Sequence, residues 1–157
     1  MSGASARLEQ LGLTLPAVPT PAAAYQPWSR SGGLVFTSGQ LPTVEGALPR
    51  TGRLGAELTT DEGAELARIA ALNVLAVAAE AAGDLDAVRV VKLVVFVAST
   101  AAFTEQHLVA NGASTLIGEV LGDAGVHARA AVGVASLPLG SPVEVEAIIE
   151  VVGGSSG

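Results

Sequence analysis

Hydrophobic and polar residues alternate most cleanly near the end of the chain. Between Val143 and Val152, Val143, Val145, Ala147, Ile149 and Val151 fall on one side of an extended backbone, and Glu144, Glu146, Ile148 and Glu150 on the other. That period of two belongs to a strand. The stretch Arg129 to Leu137 alternates as well, with Ala130, Val132 and Val134 on one side and Arg129, Ala131, Gly133 and Ala135 on the other. The turn-forming segment Pro138-Leu139-Gly140-Ser141-Pro142 joins the two. Val88 to Val97 is rich in β-branched residues and too uniformly apolar for an edge, which predicts a central strand. Leu34 to Ser38 reads as a buried strand, and Gly32-Gly33 predicts a hairpin turn to a partner strand over Tyr25 to Arg30.

Two helices interrupt this pattern. Thr59 and Glu62 are spaced as a capping box, with the threonine as N-cap and the glutamate at the third helical position. The helix they open is predicted to run to about Ala82, where Gly83 can supply a left-handed cap. A second helix is predicted from about Ala102 to Leu121, on a stripe of Leu108 or Val109, Ala113, Leu116, Ile117 and Val120, and Gly122 ends it. Ser5 to Leu11 could form a short helix. Residues 14 to 24, with Pro16, Pro19 and Pro21, should be extended and irregular. Residues 43 to 58 read as a loop. The order strand, strand, helix, strand, helix, strand, strand is an α+β pattern: a mixed β-sheet with two helices packed on one face. Residues 1–24 then form an N-terminal extension, 25–152 the domain, and 153–157 a flexible, low-complexity tail.

Two helices can cover only one face of the sheet. The other face is expected to carry Arg129, Ala131, Gly133 and Ala135 together with the glutamates of the last strand. A solvated polar face would account for the charges. The small residues are poor solvent-facing residues and suit contact with another subunit, so a closed symmetric oligomer is expected.

Composition narrows the function. At 157 residues the chain suits one domain, and its 50% hydrophobic residues can build a core from aliphatic side chains, since aromatics are only 3%. A net charge of −7 with only eight basic residues argues against nucleic acid as a partner. With no cysteine, thiol nucleophiles, disulfides and zinc–thiolate sites are excluded. Met1 to Gln10 lacks the charged-then-apolar order of a signal peptide, and no apolar run reaches the roughly 20 residues needed to cross a membrane. A cytoplasmic location without membrane partners is the expectation. His107 and His127 have no metal-ligand spacing, so no metal is expected. Gly52-Arg-Leu-Gly55 is no phosphate-binding fingerprint, and Ser38 lacks a nucleophile-elbow context.

Four segments together resemble the RidA/YjgF family: Phe36-Thr-Ser-Gly-Gln-Leu-Pro; Val91-Lys-Leu-Val-Val-Phe-Val; Phe103 with Asn111; and His127-Ala-Arg-Ala-Ala-Val-Gly-Val-Ala-Ser-Leu-Pro followed by Val143-Glu-Val-Glu-Ala-Ile. The resemblance spans about Tyr25 to Val152 in order. It implies a chorismate-mutase-like fold and a homotrimer with clefts between subunits. It further implies cofactor-independent hydrolysis of reactive 2-imino or enamine acids to 2-keto acids and ammonia. Three departures mark a longer, divergent subgroup with a reshaped cleft: extra length before Tyr25 and around residues 99 to 106, Ala23-Ala24 before the tyrosine, and Ser114 and Ile117 in place of helix aromatics.

The resemblance assigns Arg129 and Glu144 as the catalytic pair. A guanidinium can grip a carboxylate with two parallel hydrogen bonds, and a carboxylate can orient or deprotonate the attacking water. An ion pair of Arg129 with Glu144 or Glu146 is the structural alternative; Glu146 and Glu150 read as interface or solvent residues. Tyr25, Ser38, Gly39, Gln40 and Asn111 join Arg129 as candidate substrate-binding residues. The ligand implied is a small carboxylate-bearing metabolite. A non-catalytic trimer that binds such a metabolite is the second hypothesis, and a ribonuclease, against which the acidic charge speaks, the third.

Overall fold

The computed structural model describes residues 3–20 and 24–153. Pro21, Ala23 and the tail beyond Gly153 lie outside the described residues. The elements run α1 (Ala4–Gln10), β1 (Trp28–Ser31), β2 (Leu34–Thr37), α2 (Thr60–Ala82), β3 (Val88–Ala98), α3 (Gln106–Leu121), β4 (Ala128–Val134) and β5 (Val143–Val151). The five strands form one sheet in the order β1-β2-β5-β3-β4. Only β3 and β4 pair in parallel; the other neighbours are antiparallel. The sheet is therefore mixed, as the element order requires, and β3 lies in its interior.

Local chemistry sets the helix limits. Thr59 accepts a hydrogen bond from the Glu62 backbone, while the Glu62 side chain returns to the Thr59 backbone. Gly83 closes α2 at φ 82°, a conformation costly for any residue with a Cβ. The second helix opens at Gln106, not Ala102. A turn precedes it, in which the Phe103 N–H donates to the Thr100 carbonyl at 3.2 Å. The first strand likewise opens at Trp28, after Pro27.

Helices α2 and α3 pack on each other and on the same side of the sheet. The core between them is aliphatic: Leu75, Val74, Leu116 and Ile117 from the helices meet Val90, Leu93, Val95 and Ile149 from the strands, all fully buried. The terminal helix α1 docks at the edge of this core through Ala4 and Leu8. Its Arg7 Nε donates to the Val120 carbonyl at 2.7 Å.

One sequence expectation is reversed. Residues Arg129, Ala131 and Gly133 turn towards α3, not away from it. Arg129 is in register with the buried Leu93, Ala131 packs against the core, and a Cβ on Gly133 would meet Ser99 Oγ at 2.8 Å and Gln106 Nε2 at 2.9 Å. The small residues make room for the helix and its leading loop. The open face carries instead Ala130, Val132 and Val134, next to Phe96 and the β5 glutamates.

Candidate functional site

The predicted site residues fall into two groups on opposite faces of the sheet. The first surrounds Arg129, near the start of β4, the edge strand beside α3. One Nη1 donates to Asn111 Oδ1 at 2.8 Å and to Ser114 Oγ at 3.1 Å, and Nη2 donates to the His107 carbonyl at 3.2 Å. Asn111 and Ser114 are three apart on α3, so both side chains reach the same side of one helical turn. Asn111 thus accepts a bond from the arginine. The structural alternative, an ion pair of Arg129 with Glu144 or Glu146, is not seen among the described residues, because those glutamates point to the other face.

Ser114 was legible in the sequence only as a missing aromatic. Its Oγ lies 2.9 Å from His127 Nε2, and His127 Nδ1 lies 2.6 Å from the Gly125 carbonyl. A consistent arrangement has Nδ1–H donating to Gly125, the Ser114 hydroxyl donating to Nε2, and Arg129 donating to the serine oxygen. Two side chains, Asn111 and Ser114, and the His107 carbonyl therefore fix the guanidinium, and His127 steadies the serine. Its Nε–H and one Nη2–H remain uncommitted among the described residues, and these are the donors of a two-pronged grip on a carboxylate.

The second group surrounds Glu144, half-buried on β5. It is in register with Phe96 on one side of its strand, and its carboxyl packs on the backbone of Gly39, where a Cβ would collide with it. Burial pushes the Glu144 carboxyl above its ordinary value, and the negative charge of Glu146 adds to the rise. No described residue donates a hydrogen bond to it. A carboxyl that is raised, half-buried and unpaired can take or give a proton nearer neutrality than a solvated one.

The turn after β2 is held from every side. Ser38 Oγ donates to the Gln26 carbonyl at 2.5 Å, and Ser38 N–H to the Pro27 carbonyl at 2.8 Å. Gln40 exchanges backbone bonds with Val145 at 2.8 and 3.0 Å. Asn73, buried on α2, donates to the carbonyls of Leu41 at 2.9 Å and Thr43 at 3.2 Å. Beside this turn lies a cavity of about 190 Å³, whose lining includes Tyr25, Ser38, Gly39 and Gln40. Tyr25 stands at its rim, 60% exposed. The Ser38 hydroxyl hydrogen is already spent on Gln26, so Ser38 has only acceptor capacity left for a ligand.

Arg129 and Glu144 are separated by β3 and lie on opposite faces of the sheet, so one chain does not bring them together. Glu150 binds Arg89 at 3.1 Å on the strand next to it. Among the described residues no cluster of three or more His, Asp or Glu could hold a metal ion, and no helix is long and apolar enough to cross a membrane.

Comparison with known proteins agrees with this architecture. Residues 5–151 match the family described as "YjgF/chorismate mutase-like, putative endoribonuclease". Protein TCP17 of Trypanosoma cruzi is 52% identical over 148 residues, covering 93% of this chain and 92% of that one. The crystal structure of Atu1372 from Agrobacterium tumefaciens, a protein of unknown function, is 49% identical with a TM-score of 0.86, covering 94% and 92% of the two chains. The crystal structure of Escherichia coli TdcF with bound serine is 28% identical with a TM-score of 0.62, covering 88% and 94%. The α+β fold, the sequence motifs and a match over nearly the whole chain agree: this chain belongs to the YjgF/chorismate mutase-like family.

Proposed function

We propose that the chain works as a closed trimer that hydrolyses reactive 2-imino or enamine acids to 2-keto acids and ammonia in clefts between subunits. The observation that carries this reading is the placement of the two candidate groups. Arg129 keeps a free two-donor edge on one face of the sheet, and Glu144 offers an unpaired carboxyl of raised pKa on the other. A site that uses both needs two copies of the chain, and a ring of three supplies three such sites. The substrate carboxylate docks on Arg129. Water adds to the imine carbon while Glu144 of a neighbouring copy takes its proton. The same carboxyl returns that proton to nitrogen, giving a carbinolamine; it then takes the carbinolamine hydroxyl proton and passes it to nitrogen as the C=O bond forms and the C–N bond breaks, so that ammonia leaves a 2-keto acid. Water is the only co-reactant and the proton is recycled. No cofactor enters this scheme.

A second reading has its own support. A structure of TdcF carries serine, a small amino acid with a carboxylate, and a trimer that only binds such molecules would use Arg129 in the same way. RNA cleavage, the activity in the family description, suits the chain less well, because a net charge of −7 opposes an RNA backbone.

The deciding experiment couples the purified protein to a threonine dehydratase and follows the decay of the imine. Faster decay is expected with the wild type. Glu144→Gln should slow it by on the order of 10²-fold while leaving 2-keto-acid binding nearly intact. If the wild type leaves the spontaneous rate unchanged, hydrolysis of these substrates is refuted and the binding trimer becomes the better reading.

A further inference from the structure

The extra length around residues 99 to 106, a departure from the family pattern, builds one side of a cavity of about 510 Å³. Ser99, Thr100, Phe103 and Gln106 line that side, the end of β4 lines another, and Arg53 from the loop before α2 completes it. Backbone bonds fix these walls. Leu54 is fully buried; its N–H donates to the Ala98 carbonyl at 2.9 Å, and its carbonyl accepts from Thr100 at 3.0 Å. Arg53 is thereby tied to the sheet. The Ser99 N–H donates to the Val134 carbonyl at 3.1 Å. Gln106 Nε2 donates to the Phe103 carbonyl at 2.8 Å and to Ser99 Oγ at 3.4 Å. The Arg53 guanidinium itself is uncommitted. Arg7, Arg30, Arg50, Arg68, Arg89 and Arg129 each donate to a carbonyl, a carboxylate or an amide oxygen. Arg53 makes no side-chain hydrogen bond or ion pair among the described residues. Glu57 instead spends its carboxylate on the Arg53 backbone N–H at 2.8 Å. That bond is the largest cause holding the Glu57 carboxyl below its ordinary value, and the charge of Arg53 is the smallest.

We propose that this cavity is a second ligand site, separate from the Arg129 cluster, and that it takes a monocarboxylate with an apolar body. A free guanidinium presents the paired donors that a carboxylate accepts. Two more donors stand beside it. The Thr100 hydroxyl has no partner among the described residues. Strand β4 ends the sheet, and since Val134 turns its backbone to β3, the N–H of Gly133 faces the open edge, where no strand pairs with it. Phe103, Val134 and Ala135 supply the apolar part of the lining. Charge narrows the class further: one unpaired guanidinium in a chain of net charge −7 suits a single negative charge and opposes a polyanion. Size agrees, since about 510 Å³ is room for more than roughly a dozen waters at about 30 Å³ each, enough for a ring or a branched chain. Gly52-Arg-Leu-Gly55, which carries no phosphate-binding pattern, thus gains a role through its arginine.

The test titrates the full, nitrogen-15-labelled chain with benzoate and follows its amide signals, a readout that needs no imine hydrolysis. Signals of Thr100, Gly133 and Ala135 should move with benzoate and stay with benzamide, which keeps the ring and loses the charge. Arg53→Gln should raise the benzoate concentration for half the shift by about tenfold, the low end for a charged contact because the site is open. Arg129→Ala should leave that concentration unchanged, and so should Arg50→Gln, which removes the same charge from an ion-paired neighbour. Equal weakening by Arg50→Gln would reduce the effect to general charge and overturn the site. Shifts confined to Asn111 and Ser114 would overturn it too, since the acid would then have only the Arg129 cluster. Inorganic phosphate should act only at higher concentration than benzoate; the reverse order would overturn the apolar-carboxylate class. Matching thermal midpoints of wild type and Arg53→Gln would verify that folding is not the cause.

Discussion

The two faces of the sheet are built from the same five strands, yet they obey different rules. The covered face is uniformly aliphatic: Val35, Val90, Leu93, Val95, Val145 and Ile149 are all fully buried under the helices. The open face mixes apolar and charged groups. Phe36 is 42% exposed and Val132 44%, and between them lie Val94, Phe96, Ile148, Lys92 and the glutamates of β5. Exposed apolar area of this kind on a sheet is what a partner surface offers, and the charged groups within it would fix how partners align. The covered face holds the fold together; on the proposed reading the open face holds the subunits together and supplies Glu144.

Ile148 and Ile149 test this contrast with one side chain on each face. Ile149 is fully buried, in register with Val35 and Val90. Ile149→Ala should cost about 2–5 kcal/mol of stability through lost burial and a residual cavity, read as a lower urea midpoint. Ile148→Lys should leave a folded chain that no longer sediments as a trimer, because it places a charge in the apolar part of the open face. A wild type that stays monomeric at micromolar concentration would remove the assembly from the account. Gly133→Arg tests something else. Gly133 faces Ser99 and Gln106 on the covered side, so that substitution disturbs α3 packing and says little about the interface.

A smaller effect is expected at the Arg129 cluster. Arg129→Ala should weaken 2-keto-acid binding by roughly ten- to a hundredfold, the worth of a charged hydrogen-bonded contact at ~1.5–3 kcal/mol. Ser114→Ala should weaken it less, because Asn111 and the His107 carbonyl still hold the guanidinium. Equal binding by wild type and Arg129→Ala, measured by calorimetry, would put the carboxylate elsewhere.

Legibility followed the strength of the local signal. Helix α2 was readable at both ends because a capping box and a C-terminal glycine are chemical punctuation. Strand β5 was readable because valines and glutamates alternate. Strand β4 was misread, since Ala, Val and Gly give weak contrast between its sides, and only tertiary packing decides that α3 covers the Arg129 side. The later start of α3 was hidden because Thr100–Phe103 closes a turn that has no strong breaker. Ser114 carried no signal of its own; a helical serine is ordinarily solvated. Arg129 and Glu144 stood out through family motifs, yet nothing in a single chain's pattern says that β3 will stand between them.

The smallest prediction concerns stability, and its sign separates two roles for Glu144. Burial first, and the charge of Glu146 second, raise its folded pKa. Between the ordinary carboxylate value and that raised value, the folded chain binds more protons than the unfolded chain. Stability therefore falls as pH rises through this window, and the full penalty persists above it. Glutamine carries no charge and escapes the penalty. Glu144→Gln should thus be slightly more stable than wild type near pH 7, with the gain shrinking as pH falls through the raised pKa and vanishing below the ordinary carboxylate range. Urea midpoints of both proteins from about pH 4 to about pH 8 span the relevant range. Glu146→Gln should show the same sign more weakly, because it removes only the second cause. A site that keeps a carboxylate at a cost in stability fits a proton-handling group. The opposite sign, with wild type more stable at neutral pH, would mean that the carboxylate gains a cationic partner in the assembly, and Glu144 would then be an interfacial ion-pair residue, not the group that handles water.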